Sequence, residues 1–311
     1  MHYAELLRTK TLLDLTTMVI ETSLSTVTQI LVWGLILGCI YVLLASGLNL
    51  IFGVMKLVNF AHGEFIVLGG YVSYWTVTLL NLNPYVAIFI SMTVMGVFGI
   101  VIERTCFRRV LGTSKLNEIL LSVGLIYILQ NSMALLFTDY PRGIHSPYEK
   151  NIISLGILNL SLDWIIAIGV TVGILVGFYL MLNKTTLGRA MRATSQNRKA
   201  AMLMGINVEN IDMLTFGIGI ALAAAAGTLL IIITSITPYA GSLPALKAFA
   251  IIILGGLGSP AGAVIGGLLY GIVEGAAVYL VGGTWRDAVG FIILILVLIV
   301  RPTGLFGEGE K

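Results

Sequence analysis

Three side chains that could bind a polar group or titrate lie within six residues of one another in NFAHGEF (59–65). They are Asn59, His62 and Glu64, with Gly63 between the last two, and apolar segments flank the stretch on both sides. A charged side chain at the centre of a bilayer costs about 2.5–3.5 kcal/mol on insertion scales, so polar residues at that depth are candidates for function. The alternative is a structural turn in which His62 hydrogen-bonds a neighbouring helix.

A second polar segment, TTLGRAMRATSQNRKAAMLMGIN (185–207), is too polar to span a membrane and is rich in helix-forming residues. Interpreted as one helix, it has a polar stripe beside a face of mainly small residues. The stripe contains Arg189, Arg192, Gln196 and Lys199, and the small face contains Ala190, Ala193, Asn197, Ala200 or Ala201, and Met204. Gly188 and Gly205 bracket the segment, and Gly205 suits a C-terminal cap. Composition alone leaves two roles open, docking into a partner's groove and lying on the lipid surface.

A third region, GGLGSPAGAVIGG (255–267), contains enough glycine for a sharp turn and a closely packed following helix, with Pro260 just inside its start. We group Gly255, Gly256 and Gly258 with the candidate path residues, although close packing alone would account for them.

These sites are set in a strongly apolar chain of 311 residues, 58% hydrophobic and 11% charged, with a mean hydropathy of +0.99. Soluble domains carry about 25% charged residues, so a soluble enzyme, a disordered tail and a nucleic-acid binder are poor starting hypotheses. A membrane span needs roughly 20 apolar residues. Uncharged stretches of about one span or more lie at 22–55, 65–102, 119–138, 164–183, 213–246 and 248–273. The sequence therefore predicts an all-α polytopic integral membrane protein.

We expect about eight transmembrane helices plus broken or half-helices. The predicted apolar segments are 28–58, 65–80, 85–102, 119–137, 164–182, 213–234, an interrupted 246–281, and 288–300. Residues 1–25 are interpreted as an amphipathic lead-in. The transmembrane domain covers 26–301 and includes a cytoplasmic segment at 184–210, and a cytoplasmic tail follows at 302–311.

The basic residues predict the orientation, because an excess of Lys and Arg marks cytoplasmic loops. Segments 103–118 and 184–212 have that excess, whereas 139–163 carries Arg142 and Lys150 against three acids. The first two segments and the C-terminus are therefore expected inside, and 139–163 outside. The side of the N-terminus is left open.

A short apolar piece, a glycine-containing turn and a longer apolar helix occur at 48–80 and again at 246–281. Transporters built from repeats show such paired interruptions near the substrate path. The sequence match is weak, so the internal repeat is a hypothesis.

Five stretches resemble the permeases of ABC importers, in the subfamily that handles branched-chain amino acids. They are LGRAMRATSQNRKAAMLMGIN (187–207), LNLIFGVMKLVNFAHGEFIVLGGY (48–71), PYAGSLPALKAF (238–249), ILGGLGSPAGAVIGGLLYGIVE (253–274) and RPTGLFG (301–307). The resemblance extends from about residue 28 to 307, and the combination of the five stretches is specific.

This resemblance implies a type II ABC importer permease-like fold in a bacterial or archaeal cytoplasmic membrane. The implied partners are a second homologous permease, two cytoplasmic ATPase subunits and an extracytoplasmic substrate-binding protein. ATP would be bound by the ATPases, so this chain would be no enzyme and need no cofactor, and it lacks a GxxxxGK[ST] phosphate loop. The resemblance assigns ATPase coupling to Gly188, Arg189, Arg192, Ala193, Asn197, Ala201 and Gly205. It favours a substrate-path role for Asn59, His62, Gly63 and Glu64. A glycine-interrupted helix also exposes backbone groups that can hold a zwitterion, and Gly255, Gly256 and Gly258 are grouped with these path residues.

Several alternatives stay open. The substrate could be an amino acid, urea or a short amide, and a secondary transporter or channel is a further possibility. An ammonium-type channel would need paired membrane-depth histidines, and a proton-coupled carrier would need more intramembrane acids than Glu64 and Glu274. Cys39 and Cys106 have no metal-ligand spacing, so no metal site and no nucleic-acid partner are predicted.

Overall fold

The computed structural model describes residues 2–155 and 158–306, with side chains for residues 26–154 and 159–306. The longer helices are α1 (His2–Met55), α2 (His62–Leu80), α3 (Pro84–Thr105), α4 (Lys115–Phe137), α5 (Leu162–Lys184), α8 (Val208–Ile233), α9 (Ser242–Gly255), α10 (Pro260–Val281) and α11 (Arg286–Val300). Two short helices, α6 (Thr186–Gln196) and α7 (Arg198–Leu203), lie between α5 and α8, and 3₁₀ turns occupy Phe107–Arg109 and Gly283–Trp285.

The helix boundaries confirm the predicted fold class. Seven helices in the described part of the chain are long and apolar enough to cross a membrane. The 19-residue α2 and the 14-residue α9 account for the remaining predicted segments. The sequence did not predict a small antiparallel hairpin in the outer loop, where β1 (Ile152–Leu155) pairs with β2 (Leu158–Ser161).

The predicted lead-in, residues 1–25, does not form a separate helix, because α1 continues without a break from His2 to Met55. Its predicted amphipathic character concerns side chains outside the described part. The domain boundary at residue 25 stays a prediction.

The centre of the molecule is formed by α1, α8 and α10, whose small residues allow close approach. A Cβ on Gly275 of α10 would lie 2.8 Å from the Cα of Gly34 on α1, so the two backbones are nearly in contact. In lipid, small residues at helix interfaces provide this kind of close packing. By contrast, α4, α5 and α11 expose most of their apolar surface. The core is therefore a tight bundle with a loosely covered periphery.

The loops meet at the two ends of the bundle as the charge pattern predicts. Arg108, which follows α3, donates to the carbonyl of Glu209 at the start of α8 (3.2 Å), so segments 103–118 and 184–212 share one end. Lys115 Nζ donates to the carbonyl of Lys56 (2.9 Å), so α1 also ends there. At the opposite end, Arg142 of the outer loop exchanges backbone hydrogen bonds with Ile236.

Both predicted interruptions are present, at residues 56–61 and 256–259. The two regions touch, because Gly258 N donates to Asn49 Oδ1 near the end of α1 (2.8 Å). Their relation as an internal repeat stays a prediction.

Candidate functional site

After α1 ends at Met55, the chain turns back along α1 before α2 begins. The Nε2 atom of His62, the first residue of α2, lies 3.2 Å from the carbonyl oxygen of Leu44. Leu44 precedes Met55 by 11 residues, which corresponds to about 16 Å along the helix axis. Helix α2 therefore starts at membrane depth rather than at the membrane surface.

The three candidate polar residues at this break are all inside the protein. Asn59 and His62 are fully buried and Glu64 is 2% exposed. Asn59 Oδ1 accepts from Ala61 N (3.1 Å), so its carbonyl oxygen stabilises the turn. The contact between His62 and Leu44 is the one that the structural alternative requires. None of the three lines an open passage in this conformation, and their path role stays a prediction.

Among the residues whose side chains are described, the Glu64 carboxylate has one hydrogen-bond partner. Gln130 Nε2 of α4 donates to Glu64 Oε1 (2.9 Å), whereas Oε2 is buried without a partner. The carboxylate lies against Gly241 at the start of α9, where an added Cβ would come 2.7 Å from Oε2. Gly63 packs against the same turn, since a Cβ there would lie 2.8 Å from Ala245 Cβ.

Gly255, Gly256 and Gly258 lie at the other end of α9 from Glu64, about 20 Å away along the helix. Gly256 and Gly258 have φ values of 105° and 83°, which favour glycine, and they form the turn into α10. The structure therefore divides the predicted path residues into two groups, and close packing accounts for the second.

Sequence analysis missed a second buried polar cluster, centred on Glu274 of α10. Lys247 Nζ of α9 lies 2.8 Å from Glu274 Oε1, and Tyr41 OH donates to Glu274 Oε2 (2.7 Å). Lys247 also donates to Tyr41 OH (2.9 Å) and lies 2.8 Å from Asp287 Oδ1. Arg286 Nε completes the cluster at 3.4 Å from Glu274 Oε1. The available signal was the pair of lone opposite charges, Lys247 and Glu274, in otherwise uncharged stretches.

The segment 185–207 is not one helix, and that prediction is wrong. Asn197 adopts an extended conformation (φ −154°, ψ 103°) between α6 and α7, and its Oδ1 caps α7 by accepting from Ala200 N (3.0 Å). Asn is among the preferred N-cap residues, which explains why the helix restarts there. The polar stripe from Arg189 to Lys199 therefore does not continue across the break.

Three predicted coupling residues hold this segment in place. Gly188 is buried, and its N–H donates to the capping oxygen of Thr185 (3.1 Å). Arg192 donates to the carbonyl of Leu182 and to Asn183 Oδ1, at the end of α5. Ala201 is only 4% exposed, so it offers little surface to a partner.

The accessible surface of the segment includes part of the predicted set and extends beyond it. Of the predicted set, Arg189, Arg192, Asn197 and Gly205 are exposed and Ala193 is partly buried. The most exposed apolar residues form an apolar tip, of which sequence analysis named only Met204. They are Met202 (54% exposed), Leu203 (88%) and Met204 (83%).

Gly205 forms the predicted C-terminal cap. Its φ is 82°, its N–H donates to Met202 O (3.0 Å), and Ile206 N donates to Ala201 O (3.1 Å). This pair of bonds is the Schellman motif.

Ion pairs anchor the segment to the membrane helices. Arg198, at the start of α7, forms a two-pronged ion pair with Asp212 of α8. Arg108 contacts Glu103 of α3 (3.2 Å) and Glu209 of α8 (3.6 Å). The α6–α7 pair is thus tied to α5 by Arg192 and to α8 by Arg198.

Comparison with known proteins agrees with this architecture. The family model described as "Branched-chain amino acid transport system / permease component" matches residues 30–298. The high-affinity branched-chain amino acid transport system permease protein BraD of Pseudomonas aeruginosa is 37% identical over 91% of this chain and 96% of its own length. The corresponding LivH protein of Escherichia coli is 33% identical over 89% and 94%.

A more distant relative and a solved structure also match most of this chain. A probable branched-chain amino acid transport permease LivH of Methanocaldococcus jannaschii is 29% identical over 91% of this chain and 93% of its own length. Among solved structures, PsaBC from Streptococcus pneumoniae in complex with Fab superimposes with a TM-score of 0.50 at 11% identity, covering 87% of this chain and 91% of that chain. That likeness shows the fold alone. This multi-pass membrane protein belongs to the family of permease components of branched-chain amino acid transport systems.

Proposed function

We propose that this chain is the membrane permease subunit of an ABC importer that moves branched-chain amino acids across the cytoplasmic membrane of a bacterium or archaeon. The observation that carries the proposal is the family match over residues 30–298, together with full-length relatives named as branched-chain amino acid permeases. Those names do not favour the urea or short-amide alternative, and membership of this family argues against a secondary transporter or channel.

The working assembly in this proposal contains a second permease subunit, two cytoplasmic ATPase subunits and an extracytoplasmic substrate-binding protein. ATP binds to the ATPases, and this chain supplies the path without covalent chemistry or a cofactor of its own. Within the described part of the chain, no three His, Cys, Asp or Glu side chains are grouped closely enough to hold a metal ion.

The coupling step uses the apolar tip on α7. Met202, Leu203 and Met204 are exposed at the end of the bundle that carries the basic segments, and an exposed apolar patch marks a contact with a protein or with a membrane. Lipid-surface helices usually present larger apolar residues along a whole face, whereas α7 has only 6 residues and a local tip. Docking into an ATPase groove therefore accounts for this surface better than lipid binding does. When the ATPases move the tip, Arg192 and Arg198 transmit that movement to α5 and α8.

The first experiment tests the transporter class. The assembled transporter is reconstituted in liposomes with its binding protein, and uptake of L-leucine is measured with and without internal ATP. Uptake that needs ATP and is insensitive to a protonophore supports the proposal. Uptake that continues without ATP or is abolished by the protonophore contradicts it.

The second experiment tests the coupling tip with Leu203→Asp. A charge in an apolar docking contact is expected to lower uptake and substrate-stimulated ATP hydrolysis by about tenfold or more, because the desolvated carboxylate finds no partner. The matched control is Leu257→Asp, at a leucine 48% exposed in the turn between α9 and α10. Equal uptake by the two variants would remove the coupling role of the tip.

A further inference from the structure

Helix α9 begins inside the membrane. It has 14 residues, so it covers about 21 Å of a hydrocarbon core roughly 30 Å thick. Its last residue, Gly255, lies at the same end as the turn that contacts Asn49, near the end of α1. Its first turn therefore lies at membrane depth, and its N-cap residue, Gly241, provides no side-chain acceptor.

The N-terminus of α2 meets this turn. Gly63 of α2 lies against Gly241 and Ala245, and the N-cap of α2, Ala61, also has no side-chain cap. Each helix N-terminus carries a partial positive charge, and the first N–H groups of α9 have no acceptor within that helix. Two positive helix ends therefore meet at membrane depth, where a negative charge is stabilised more strongly than in water.

Glu64 supplies one negative charge and leaves an acceptor free. The residue is in the first turn of α2, where a negative charge interacts favourably with the positive N-terminus of that helix. Its Oε1 accepts from Gln130, but Oε2 is buried without a donor and lies next to Gly241 at the start of α9. A buried polar atom without a partner requires an explanation, such as a missing bound group.

The first turn of α9 is reachable from outside the subunit. Ser242 is exposed, and Leu243 and Leu246 are 48% and 50% exposed. Tyr239, just before the helix, is 49% exposed. An approaching molecule would meet the N–H groups of α9 and apolar side chains first, with the Glu64 carboxylate directly behind Gly241.

We propose that this junction is a transient binding station for the zwitterionic head of the transported amino acid. Its α-carboxylate accepts hydrogen bonds from the N–H groups of Ser242 and Leu243, and its α-ammonium donates to Glu64 Oε2. Two carboxylates then face two helix N-termini with the ammonium between them, so the charges balance. Leu243, Leu246 and Tyr239 contact the aliphatic side chain. This inference rests on the proposed function and adds binding residues to it.

The direct test is Glu64→Gln in the assembled transporter with L-leucine as the probe. The glutamine keeps the shape and the acceptor for Gln130 but removes the charge that holds the ammonium. We expect the maximal uptake rate per assembled complex to fall about tenfold or more, the usual size of a lost hydrogen bond to a charged group. Uptake at the wild-type rate would overturn the proposal.

A second test moves the carboxylate without changing Glu64. Gly241 has a φ of −70°, which alanine accepts, but a Cβ there would lie 2.5 Å from Glu64 Cδ and displace it. Gly241→Ala should therefore reduce leucine uptake. Aspartate is one methylene shorter than glutamate, so its carboxylate leaves room for the new methyl group. Leucine uptake by the double variant Gly241→Ala with Glu64→Asp should therefore be at least about threefold higher than uptake by Gly241→Ala alone.

The matched control is Gly124→Ala on α4, where an added Cβ meets nothing within 4 Å. This variant should transport leucine normally. If Gly241→Ala and Glu64→Gln both prevent assembly and Glu64→Asp rescues neither assembly nor uptake, Glu64 has only a structural role and the station is rejected. If the wild-type assembly takes up no leucine, the proposed function fails instead, so the two failures are distinguishable.

Discussion

Glu64 and Glu274 are both glutamates buried in the membrane domain, but their surroundings are opposite. Glu274 has partners at both carboxylate oxygens, supplied by Tyr41, Lys247 and Arg286. Within the described part of the chain, the Glu64 carboxylate has a single amide partner, Gln130, and its other oxygen has none. No basic side chain forms an ion pair with Glu64 among the residues whose side chains the structure describes.

This difference distinguishes a structural cluster, at Glu274, from a binding position, at Glu64. The Glu274 cluster joins α1, α9, α10 and the start of α11, and its two acids and two bases neutralise one another. Removing one member of such a buried ion pair leaves an uncompensated charge, which costs about 3–5 kcal/mol. The Glu64 site already leaves an acceptor unpaired in the resting protein, so it has capacity for an additional donor.

The largest effect is expected for Lys247→Met. Methionine fits the space of the lysine stem but leaves Glu274 without its closest cation, so the free energy of unfolding should fall by about 3–5 kcal/mol. The measurement is reversible unfolding of the purified chain in mixed micelles, followed by circular dichroism.

The control for that variant is the double variant Lys247→Met with Glu274→Gln. Because it removes the unpaired charge as well, it should recover more than half of the lost stability. A double variant as unstable as Lys247→Met would show that the lysine stabilises the protein through packing and not through its charge.

A smaller effect is expected for Tyr41→Phe. The change removes one hydroxyl that donates to Glu274 Oε2 (2.7 Å) and accepts from Lys247 (2.9 Å), so stability should fall by about 1.5–3 kcal/mol. Tyr279→Phe is the matched control, because Tyr279 is 60% exposed on the same helix as Glu274. Equal unfolding free energies for the two variants would mean that the Glu274 cluster does not depend on the hydroxyl.

The membrane spans and their orientation were predictable from sequence. The predicted span 85–102 corresponds to α3 (Pro84–Thr105), and the other spans agree similarly, because hydropathy records burial in lipid directly. The predicted sidedness also agrees with the grouping of loops, since the two segments with an excess of basic residues, 103–118 and 184–212, share one end.

Side-chain pairing was less predictable. Lys247 and Glu274 are 27 residues apart, and they meet only because the turn after α9 sets the rotation of α10 against it. The break at Asn197 was indicated by its N-cap preference, but a helical periodicity continued through it and masked the signal. The contacts of Arg192 and the burial of Ala201 depend on how α6 and α7 pack against α5 and α8. A single sequence does not record that packing.

The smallest effect on stability is expected for Glu64→Gln, and it is the sharpest test of the contrast between the two glutamates. Glutamine can keep the bond from Gln130 and removes a buried charge that has no cation beside it, so the change in unfolding free energy should stay within about 1 kcal/mol. The matched variant is Glu274→Gln, which leaves Lys247 without its principal anion and should cost more than about 2 kcal/mol. Both are measured in the same micelles as Lys247→Met. If Glu64→Gln destabilises the protein as much as Glu274→Gln does, the Glu64 carboxylate is a structural group like Glu274 and is stabilised by the helix N-termini alone. The distinction between a structural cluster at Glu274 and a binding position at Glu64 would then be wrong.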